Sequence, residues 1–457
     1  MTGTNPSSPS PSAVGIPLFG RRRFLAGTAT AAAGAAALAA CGSDDDSADS
    51  GSAGTEAPTS DATSDSTAAA DTSGVVTFGS NYSDEKPKAG IEAAIAATGI
   101  TAEINTIDHN SYQENFNTYV QQPDDVLAWF AGYRMRAFAA KGVVGDISDV
   151  WSDIDMSEGF KSASTGRDGK QYFVPFYFYA WGVHYRKSLF EENGYEIPTD
   201  WAGMLALCEQ MQADGLTPIA AANDGGWPQM GMFDMINMRT NGYDFHVSLM
   251  GGQESWTDDR VKQVFTNWSE LLPYYQPDAN GREWQAAANS IGEKEAGMYL
   301  IGNFITSNYD AETQQDIIDD IDFFAFPEID PAHGQDAIEA PIDGFMMAAD
   351  PKNPEGAKAL LGGIGSAAAI DAYIGVDPSV VASADGAATG SYNALQSKAA
   401  ELVGGAKQIS QFLDRDTDPA FASDVVGKAL ADFITDPSSI DGLLATVEEQ
   451  KGTFTFE

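Results

Sequence analysis

Two segments that follow predicted strands are rich in aromatic and polar residues, and both could bind a small ligand. They run from Ser80 to Asp84 and from Trp129 to Arg134. In an open parallel sheet, ligands bind beyond the carboxyl ends of the strands, where loops converge. A tryptophan in such a loop is seldom left exposed without a partner. We therefore expect a binding site at these strand ends. The alternative is that these residues are ordinary loop residues that bind no ligand.

The residues that usually carry catalysis are few and scattered. His109, His184, His246 and His333 form no motif, and the chain contains neither G-x-S-x-G nor H-E-x-x-H. No His/Asp/Glu cluster has the spacing of metal ligands, and no Asp/Gly run has that of a calcium loop. A glycosidase needs two carboxylates, which 66 acidic residues would offer by chance. We predict a binding protein that is not an enzyme, with no catalytic residues, no cofactor and no metal.

The charge of the chain excludes another class of function. Its 25 Lys and Arg residues stand against 66 Asp and Glu, which gives a formal net charge of −41. Such a chain repels nucleic acid, so we predict no nucleic-acid partner. The acidity is simplest to explain as a solvated surface that keeps the protein soluble, with attraction of cations as the alternative.

The first forty residues have the pattern of an export signal. Arg21 and Arg22 begin the sequence R-R-R-F-L, which is typical of twin-arginine signals. The Ala-rich stretch that follows is shorter than the roughly 20 apolar residues that a membrane span requires. The stretch ends in L-A-A-C, which resembles the lipobox of bacterial lipoproteins, where Cys41 would receive a diacylglycerol. We predict a signal peptide in residues 1–40 and an exported protein that is lipid-anchored to the outer face of the cytoplasmic membrane.

Residues 41–73 are predicted to form a lipidated, disordered tether. From residue 42 onward this stretch consists almost entirely of Ser, Ala, Thr, Gly and Asp, without an aromatic or basic residue. It cannot bury enough apolar surface to fold. Once Cys41 is lipidated, Cys208 has no disulfide partner in the chain and is expected to be a packed core thiol.

The remaining residues, 74–457, alternate between strand and helix patterns. Short β-branched or apolar runs alternate with helical periodicity, and Gly99 ends the first helix. This order favours βαβ units with parallel strands, and hence the α/β class. The predicted strands are Val75–Phe78, Ala102–Ile107 and Val126–Trp129, and the predicted helices are Ile91–Thr98 and Tyr112–Val120.

Five sequence motifs, in order along the chain, carry a family resemblance. The run D-G-K-Q-Y-F-V-P from Asp168 resembles the D-G-K-x-Y-x-x-P segment of the family 1 extracellular solute-binding proteins of ABC transporters. Gly182 to Phe190 is similar to that family's Y-N-K-x-L-F strand, and Pro198 to Trp201 to its P-x-T-W. Glu295 to Phe304 resembles A-A-M-x-x-x-G-x-W, and Phe323 to Pro327 the F-x-x-F-P that follows.

The resemblance implies a maltose-binding-protein-like, periplasmic-binding-protein-like fold of two α/β lobes. Each lobe would contain a mixed, mostly parallel sheet flanked by helices, and a three-segment hinge would join them near 175–180, 341–345 and 385–392. Lobe 1 would comprise about 74–177 and 343–387, and lobe 2 about 178–342 and 388–457. The resemblance also implies a monomer that passes its solute to the transmembrane permease subunits of an ABC importer.

The solute implied by the resemblance is a sugar or oligosaccharide held in the cleft between the lobes. A sugar presents C–H patches that stack on aromatic rings and hydroxyls that need polar partners. We expect Trp129, Trp227 and Phe304 to supply stacking rings, with Trp181 and Trp284 as further candidates. Core packing is the alternative for each ring.

Single polar residues near those rings are the expected hydrogen-bond partners of the sugar hydroxyls. Each could instead lie exposed on the surface, and the set is a stronger prediction than any single member. A polyamine or another polar solute that is not a sugar remains the alternative ligand. The predicted polar residues are Asp84, Arg134, Asn303 and Asp343, together with Tyr82 and Tyr179.

Overall fold

The computed structural model describes residues 74–456. The predicted signal peptide with Arg21 and Arg22, the lipidated Cys41 and the tether lie outside these residues. Between residues 74 and 456, the longest apolar helices fall short of what a membrane span requires.

The described chain begins with the predicted strand, helix and strand. Strand β1 covers Val76–Ser80, helix α1 covers Glu85–Ala97 and strand β2 covers Ala102–Thr106. Gly99 follows the helix with a φ of 73°, a left-handed conformation that glycine adopts without strain and that ends helices. Strands β1 and β2 pair in parallel, with Val76 opposite Ala102. The βαβ prediction for this region is confirmed, and the helix begins six residues earlier than its periodicity indicated.

The remaining strands are short and mostly buried. They are β3 Val126–Phe130, β4 Val174–Phe178, β5 Trp181–Arg186, β6 Thr217–Ile219, β7 Ala296–Gly302, β8 Ile321–Phe324, β9 Ala337–Glu339, β10 Ile342–Met347, β11 Val381–Ala382 and β12 Gln408–Ser410.

The remaining helices pack around the sheets. They are α2 His109–Glu114, α3 Phe116–Tyr119, α4 Tyr133–Ala140, α5 Glu158–Ala163, α6 Lys187–Asn193, α7 Trp201–Ala213, α8 Pro228–Asn241, α9 Tyr243–Met250, α10 Asp259–Leu271, α11 Trp284–Gly292, α12 Gln315–Asp320, α13 Pro354–Ile364, α14 Ala367–Ile374, α15 Ala394–Gly405, α16 Leu413–Asp416, α17 Pro419–Phe421, α18 Gly427–Thr435 and α19 Ile440–Lys451.

Each lobe is built on one mixed sheet. The first sheet has the strand order β11-β4-β10-β3-β1-β2, and the second has the order β6-β7-β5-β8. Strand β1 pairs in parallel with β2 and β3, whereas β10 is antiparallel to both β3 and β4, and β11 is antiparallel to β4. In the second sheet only β6 and β7 are parallel. The predicted parallel majority is therefore wrong, because strands that enter from or leave for the other lobe run against their neighbours.

The chain passes between the two sheets at three places. Strand β4 belongs to the first sheet, and β5, which begins three residues after β4 ends, belongs to the second. The chain returns to the first sheet with β10. It leaves again after β11, before β12 pairs in parallel with β9 in a separate two-stranded ribbon. The end of β4 and the starts of β5 and β10 therefore lie where the two lobes meet.

Strand β3 shows how the two faces of the first sheet are filled. Val126 and Ala128 pack in the main hydrophobic core, whereas Leu127 and Trp129 pack in a second core on the other face. This alternation follows from the two-residue period of a strand. Because β3 continues to Phe130, Trp129 is an internal strand residue opposite Gly344 of β10. It does not belong to the loop that follows the strand.

Candidate functional site

A cavity of about 120 Å³ lies between the lobes, beside the points where the chain crosses from one to the other. We call it the central cavity. Its walls come from the loop after β1, helix α2, the end of β4 and the starts of β5 and β10. Three further aromatic residues of the second lobe, the end of α14 with the segment that follows it, and the turn after β12 with helix α16 complete them. It is lined by Asn81, Tyr82, Ser83, Asp84, Pro87, His109, Gln113, Tyr177, Tyr179, Trp181, Trp227, Trp284, Phe304, Ser307, Asp343, Tyr373, Asp377, Ser379, Val380, Phe412, Asp414 and Arg415.

Four aromatic rings of the second lobe form one wall of the central cavity. The rings of Trp181 and Trp227 meet edge to face at 6.4 Å, and those of Trp284 and Phe304 at 5.2 Å. Trp227 lies 6.2 Å from Phe304, so the four rings are continuous. The close approach of helix α8 requires Gly231, where a Cβ would lie 2.4 Å from Cζ3 of Trp181. These rings offer apolar faces and edges to a ligand.

Tyrosines of the first lobe and the hinge form the opposite wall. Tyr82 meets Tyr177 edge to face at 6.2 Å, and Tyr177 lies 5.4 Å from Tyr373. Burial raises the pKa of Tyr82, Tyr177 and Tyr373 well above the ordinary tyrosine value. These phenols are therefore neutral and can donate hydrogen bonds at physiological pH.

Arg415 is the charged centre of the site. Its Nη1 lies 2.7 Å from Oδ1 of Asp343, its Nη2 donates to the hydroxyl of Tyr179 at 3.0 Å, and its guanidinium lies 4.0 Å from the ring centroid of Phe130. Both charged side chains are largely buried. Burial raises the pKa of Asp343, although the Arg415 guanidinium opposes this increase. The pair holds a fixed positive group against the cavity.

Arg134 supports the site from behind. Its Nη1 bonds to Oδ2 of Asp414 at 3.0 Å and to Oε1 of Gln113 at 2.7 Å, and both partners line the central cavity. Gln113 also contacts Nε2 of His109 at 2.7 Å. Burial lowers the pKa of His109 to about 4, so this imidazole is neutral near pH 7. The polar groups around Gln113 are therefore held in a fixed arrangement.

Several buried polar atoms of cavity residues have no hydrogen-bond partner within residues 74–456. They are Nε1 of Trp181, Oδ1 of Asp377, Oγ of Ser379, Oδ1 of Asp414 and Nε of Arg415. The last two lie 3.9 Å apart. A buried donor or acceptor is normally satisfied, by solvent or a ligand if not by protein. One hydroxyl group can accept from Arg415 and donate to Asp414, because a hydroxyl is both acceptor and donor.

The lobes also contact each other at the rim of the cavity. Nε2 of Gln285 in the second lobe donates to Oδ1 of Asp84 at 3.3 Å, and Nζ of Lys86 donates to the backbone carbonyl of Tyr309. The two lobes are therefore in direct contact at this rim.

The structure brings most of the predicted site residues together at the central cavity. One is also a rim contact, since Asp84 faces Gln285. The predicted residues that line the cavity are Tyr82, Asp84, Tyr179, Trp181, Trp227, Trp284, Phe304 and Asp343.

Three predicted site residues lie elsewhere. Trp129 stacks on Phe116 at 3.4 Å and 13° in the second core, because the strand period turns it away from the central cavity. Trp129 and Arg134 instead border a neighbouring cavity of about 430 Å³. Asn303 is buried in the turn after β7, where its Nδ2 donates to the carbonyl of Leu395 at 3.4 Å. The structure thus places these three residues outside the central cavity, and their part in ligand binding stays a prediction.

Sequence reasoning missed the turn that carries Phe412, Asp414 and Arg415. These residues follow β12, and they reach the cavity only through packing of the C-terminal segment against both lobes. The run F-L-D-R-D did contain a signal, because an arginine between acidic residues is unusual in a chain with few basic residues. Tyr177 and Tyr373 were missed as well. Within residues 74–456, no group of acidic, histidine or cysteine side chains could hold a metal ion.

Comparison with known proteins identifies relatives of the chain. Residues 82–370 match the family model of the bacterial extracellular solute-binding proteins. The solved structure of the bacterial solute receptor AcbH, which has an exclusive substrate preference for β-D-galactopyranose, is 42% identical with a TM-score of 0.81. The alignment covers 83% of this chain and 99% of the AcbH chain. This likeness confirms the predicted two-lobe α/β fold.

Two curated relatives are more distant. An uncharacterized extracellular-binding protein of an ABC transporter from Pyrococcus horikoshii is 24% identical, over 55% of this chain and 56% of the relative. A probable sugar-binding periplasmic protein from Mesorhizobium japonicum is 24% identical, over 39% of this chain and 44% of the relative. The chain thus spans about half the length of the curated relatives that it matches.

Proposed function

The chain belongs to the bacterial extracellular solute-binding proteins, a family of receptors rather than of enzymes, and from this membership we propose that it captures a sugar between its lobes. It would then deliver the sugar to the membrane subunits of an ABC importer. The ligand occupies the central cavity, with its C–H faces against the tryptophans and its hydroxyls on the polar groups around Arg415.

The observation that carries this proposal is the pair of unpartnered atoms on Asp414 and Arg415. An acceptor and a donor 3.9 Å apart suit a hydroxyl group that bridges them. The unpartnered indole N–H of Trp181 offers a second hydroxyl contact close to an aromatic wall. A sugar supplies both surfaces, because its ring carries hydroxyls at the rim and C–H groups on its faces.

The size of the cavity favours a single sugar ring. Pockets for drug-sized ligands enclose about 300–1,000 Å³, and the central cavity has a volume of about 120 Å³. Because AcbH prefers β-D-galactopyranose, a galactopyranose is the first ligand to test. An oligosaccharide would have to extend into the neighbouring cavity, which shares Gln113, Trp227 and Asp414 with the central one.

A polyamine is the competing ligand, because four acidic residues line the central cavity. Two of them, Asp343 and Asp414, already face arginine side chains at 2.7 and 3.0 Å. A cationic ligand would lie against the Arg415 guanidinium and lose much of the attraction to those carboxylates. This arrangement supports a neutral, hydroxyl-rich ligand.

Residues outside the described part support the proposed location. The twin-arginine pattern at Arg21 and Arg22 and the lipobox at Cys41 favour export and lipid anchoring at the outer face of the membrane. A monomer that such an anchor holds at the membrane could bind its solute and then reach the permease. We propose that the three crossings after β4, before β10 and after β11 form the hinge, so that lobe 1 comprises about 74–177 and 343–387.

A thermal-shift screen tests the proposed ligand class. The full-length protein is heated with galactose, other monosaccharides, disaccharides and polyamines, because a ligand at 100 times its Kd stabilises the folded state by about 2.7 kcal/mol. We expect galactose or a related monosaccharide to give the largest increase in Tm, and the Arg415→Met variant to lose it. A polyamine that stabilises the protein when no sugar does would refute the proposal.

A further inference from the structure

The turn that brings Arg415 to the cavity has a strained backbone. Phe412 has φ 134° and ψ 148°, a backbone conformation that residues other than glycine rarely adopt. The same residue places its ring 4.9 Å from Trp181 in the cavity wall. Asp414 and Arg415 follow two and three residues later. A strained turn at a functional site persists only if its surroundings hold it there.

Two carboxyl groups hold this turn, the fully buried one of Asp234 and the partly buried one of Asp416. The backbone N–H of Leu413 donates to Oδ2 of Asp234 at 2.6 Å. Asp416 accepts the backbone N–H of Gln411 at 2.9 Å and the hydroxyl of Ser410 at 2.9 Å. Asp234 lies on helix α8, whereas Asp416 belongs to the strained segment itself. The segment is therefore stabilised both by another element and by its own side chain.

Asp234 is paired with a third carboxyl group, that of Glu339 at the end of β9. Both side chains are fully buried, and each lies close enough to shift the pKa of the other. Within residues 74–456, no N–H or hydroxyl group donates to either oxygen of Glu339 or to Oδ1 of Asp234. Two carboxyl groups can bond to each other only if one of them carries a proton.

The histidine beside this pair is neutral and cannot balance a negative charge on the two carboxyl groups. Nδ2 of Asn237 donates to Nδ1 of His246 at 3.1 Å, and Oδ1 of Asn237 accepts from Asn241. Nε2 of His246 therefore carries the proton and donates to Oγ of Ser410 at 3.3 Å. Burial lowers the pKa of His246 to about 3, so the ring is neutral at physiological pH. Its Nε2 also lies 3.8 Å from Oδ1 of Asp234.

The other charged groups around the pair are Asp414, Asp416, Arg136, Arg239 and Arg415. Arg239 donates to the carbonyl groups of residues 326 and 337, and Arg415 faces Asp343. The charge of Arg136 opposes the increase in the pKa of Asp416 that burial causes. Burial raises the pKa values of Asp234 and Glu339, and the neighbouring carboxylates raise them further. The surroundings therefore favour one shared proton over two buried charges.

We propose that Asp234 and Glu339 are positioning residues of the ligand site: they share one proton and hold the strained turn 410–416, which presents Phe412, Asp414 and Arg415 to the ligand. Neither carboxyl group lines the central cavity. Their effect on the ligand passes through the Leu413 N–H. The inference rests on the proposed sugar-binding function for its affinity test, but its structural tests need no ligand.

Hydrogen exchange of the full-length, ligand-free protein tests the positioning role. In Asp234→Ala, Leu413 loses its acceptor, and we expect faster exchange in peptides that cover residues 410–416. In Asp234→Asn, an amide oxygen still accepts from Leu413 and the amide nitrogen can donate to Glu339, so protection should return. The control is Asn267→Ala, which removes a buried hydrogen bond to Thr240 elsewhere in the second lobe. Unchanged exchange in Asp234→Ala would overturn the proposal.

Affinity and infrared measurements complete the test. We expect Asp234→Ala to raise the Kd for galactose by about tenfold or more, and Asp234→Asn, Glu339→Gln and Asn267→Ala by less than about threefold. The infrared difference between wild type and Glu339→Gln at pH 7 should contain a protonated carboxyl band. Equal affinities of Asp234→Ala and Asn267→Ala, or no such band, would contradict the inference. If the wild-type protein did not bind galactose, the proposed ligand would be refuted. The hydrogen-exchange and infrared measurements would still test the positioning role, because they need no ligand.

Discussion

Replacing Trp227 and Trp129 separately by alanine should distinguish a ligand contact from a core residue. Trp227 lines the central cavity, where its ring meets Trp181, Phe304 and His109 at 6.2 to 6.5 Å. It is only partly buried. We therefore expect Trp227→Ala to weaken galactose binding and to have a small effect on the stability of the ligand-free protein.

The magnitude for Trp227 follows from the area that a sugar would cover. A tryptophan buries about 150–250 Å², and one ring face accounts for about a third of that area. At about 25 cal/mol per Å², the lost contact is worth about 1–2 kcal/mol. This corresponds to an increase in Kd of about 5- to 30-fold. Isothermal titration calorimetry with galactose measures it directly.

The magnitude for Trp129 is larger and affects a different quantity. Its ring is 2% exposed, stacks on Phe116 at 3.4 Å and meets Phe138 edge to face at 5.5 Å. Removing such a buried ring costs about 3–5 kcal/mol of folding free energy, because a cavity remains. We expect Trp129→Ala to lower Tm sharply and to change the Kd by less than about threefold.

Urea denaturation and calorimetry on both variants test this reasoning. The pattern to expect is a large stability loss with normal affinity for Trp129→Ala, and the reverse for Trp227→Ala. If Trp129→Ala weakened binding as much as Trp227→Ala at unchanged stability, the assignment of Trp129 to the core would be wrong. Unchanged affinity and stability in Trp227→Ala would remove that residue from the site.

Three further predictions concern the anchor, the charged pair and the hinge. Replacing Cys41 with Ser should release a folded, ligand-competent protein from the membrane fraction; retention after a carbonate wash would contradict lipid anchoring. Arg415→Met leaves Asp343 buried without its charge partner and should cost about 3–5 kcal/mol of stability at pH 7. Because burial raises the pKa of Asp343, the carboxyl group gains its proton as pH falls, so urea denaturation should show a smaller loss at pH 5; equal losses at both pH values would contradict this. Small-angle scattering should give a smaller radius of gyration with saturating galactose than without it, and an unchanged radius would argue against hinge closure.

Local patterns in the sequence predicted the first lobe well because its early elements are formed by neighbouring residues. The strand, helix and strand from Val76 to Thr106 follow hydrophobic periodicity, and a glycine ends the helix. The position of Trp129 outside the central cavity has an equally local reason. An extension of β3 by one residue, to Phe130, moves Trp129 from the strand end to an internal position, and the side-chain period of two then decides which core it enters.

The sheet topology could not be inferred from such patterns. A parallel majority in each sheet was expected because βαβ units dominate the start of the chain. The strands next to the hinge are antiparallel instead, since β4 leaves the first lobe at the place where β10 returns to it. The direction of a strand that crosses between lobes depends on the path of the whole chain, which no local window contains.

The same contrast explains which site residues were found. Asp343 lies on β10 and Tyr179 directly follows β4, so both predicted residues reach the central cavity as soon as these two strands pair at the hinge. Arg415 reaches Asp343 across 72 residues, on a strained turn that relies on a carboxyl group 179 residues away from Leu413. Residues that a strand register brings together are predictable from motifs that mark the strands. A turn that is stabilised by buried acids from two other elements has no local signature, so its contribution becomes visible only when the whole fold is known.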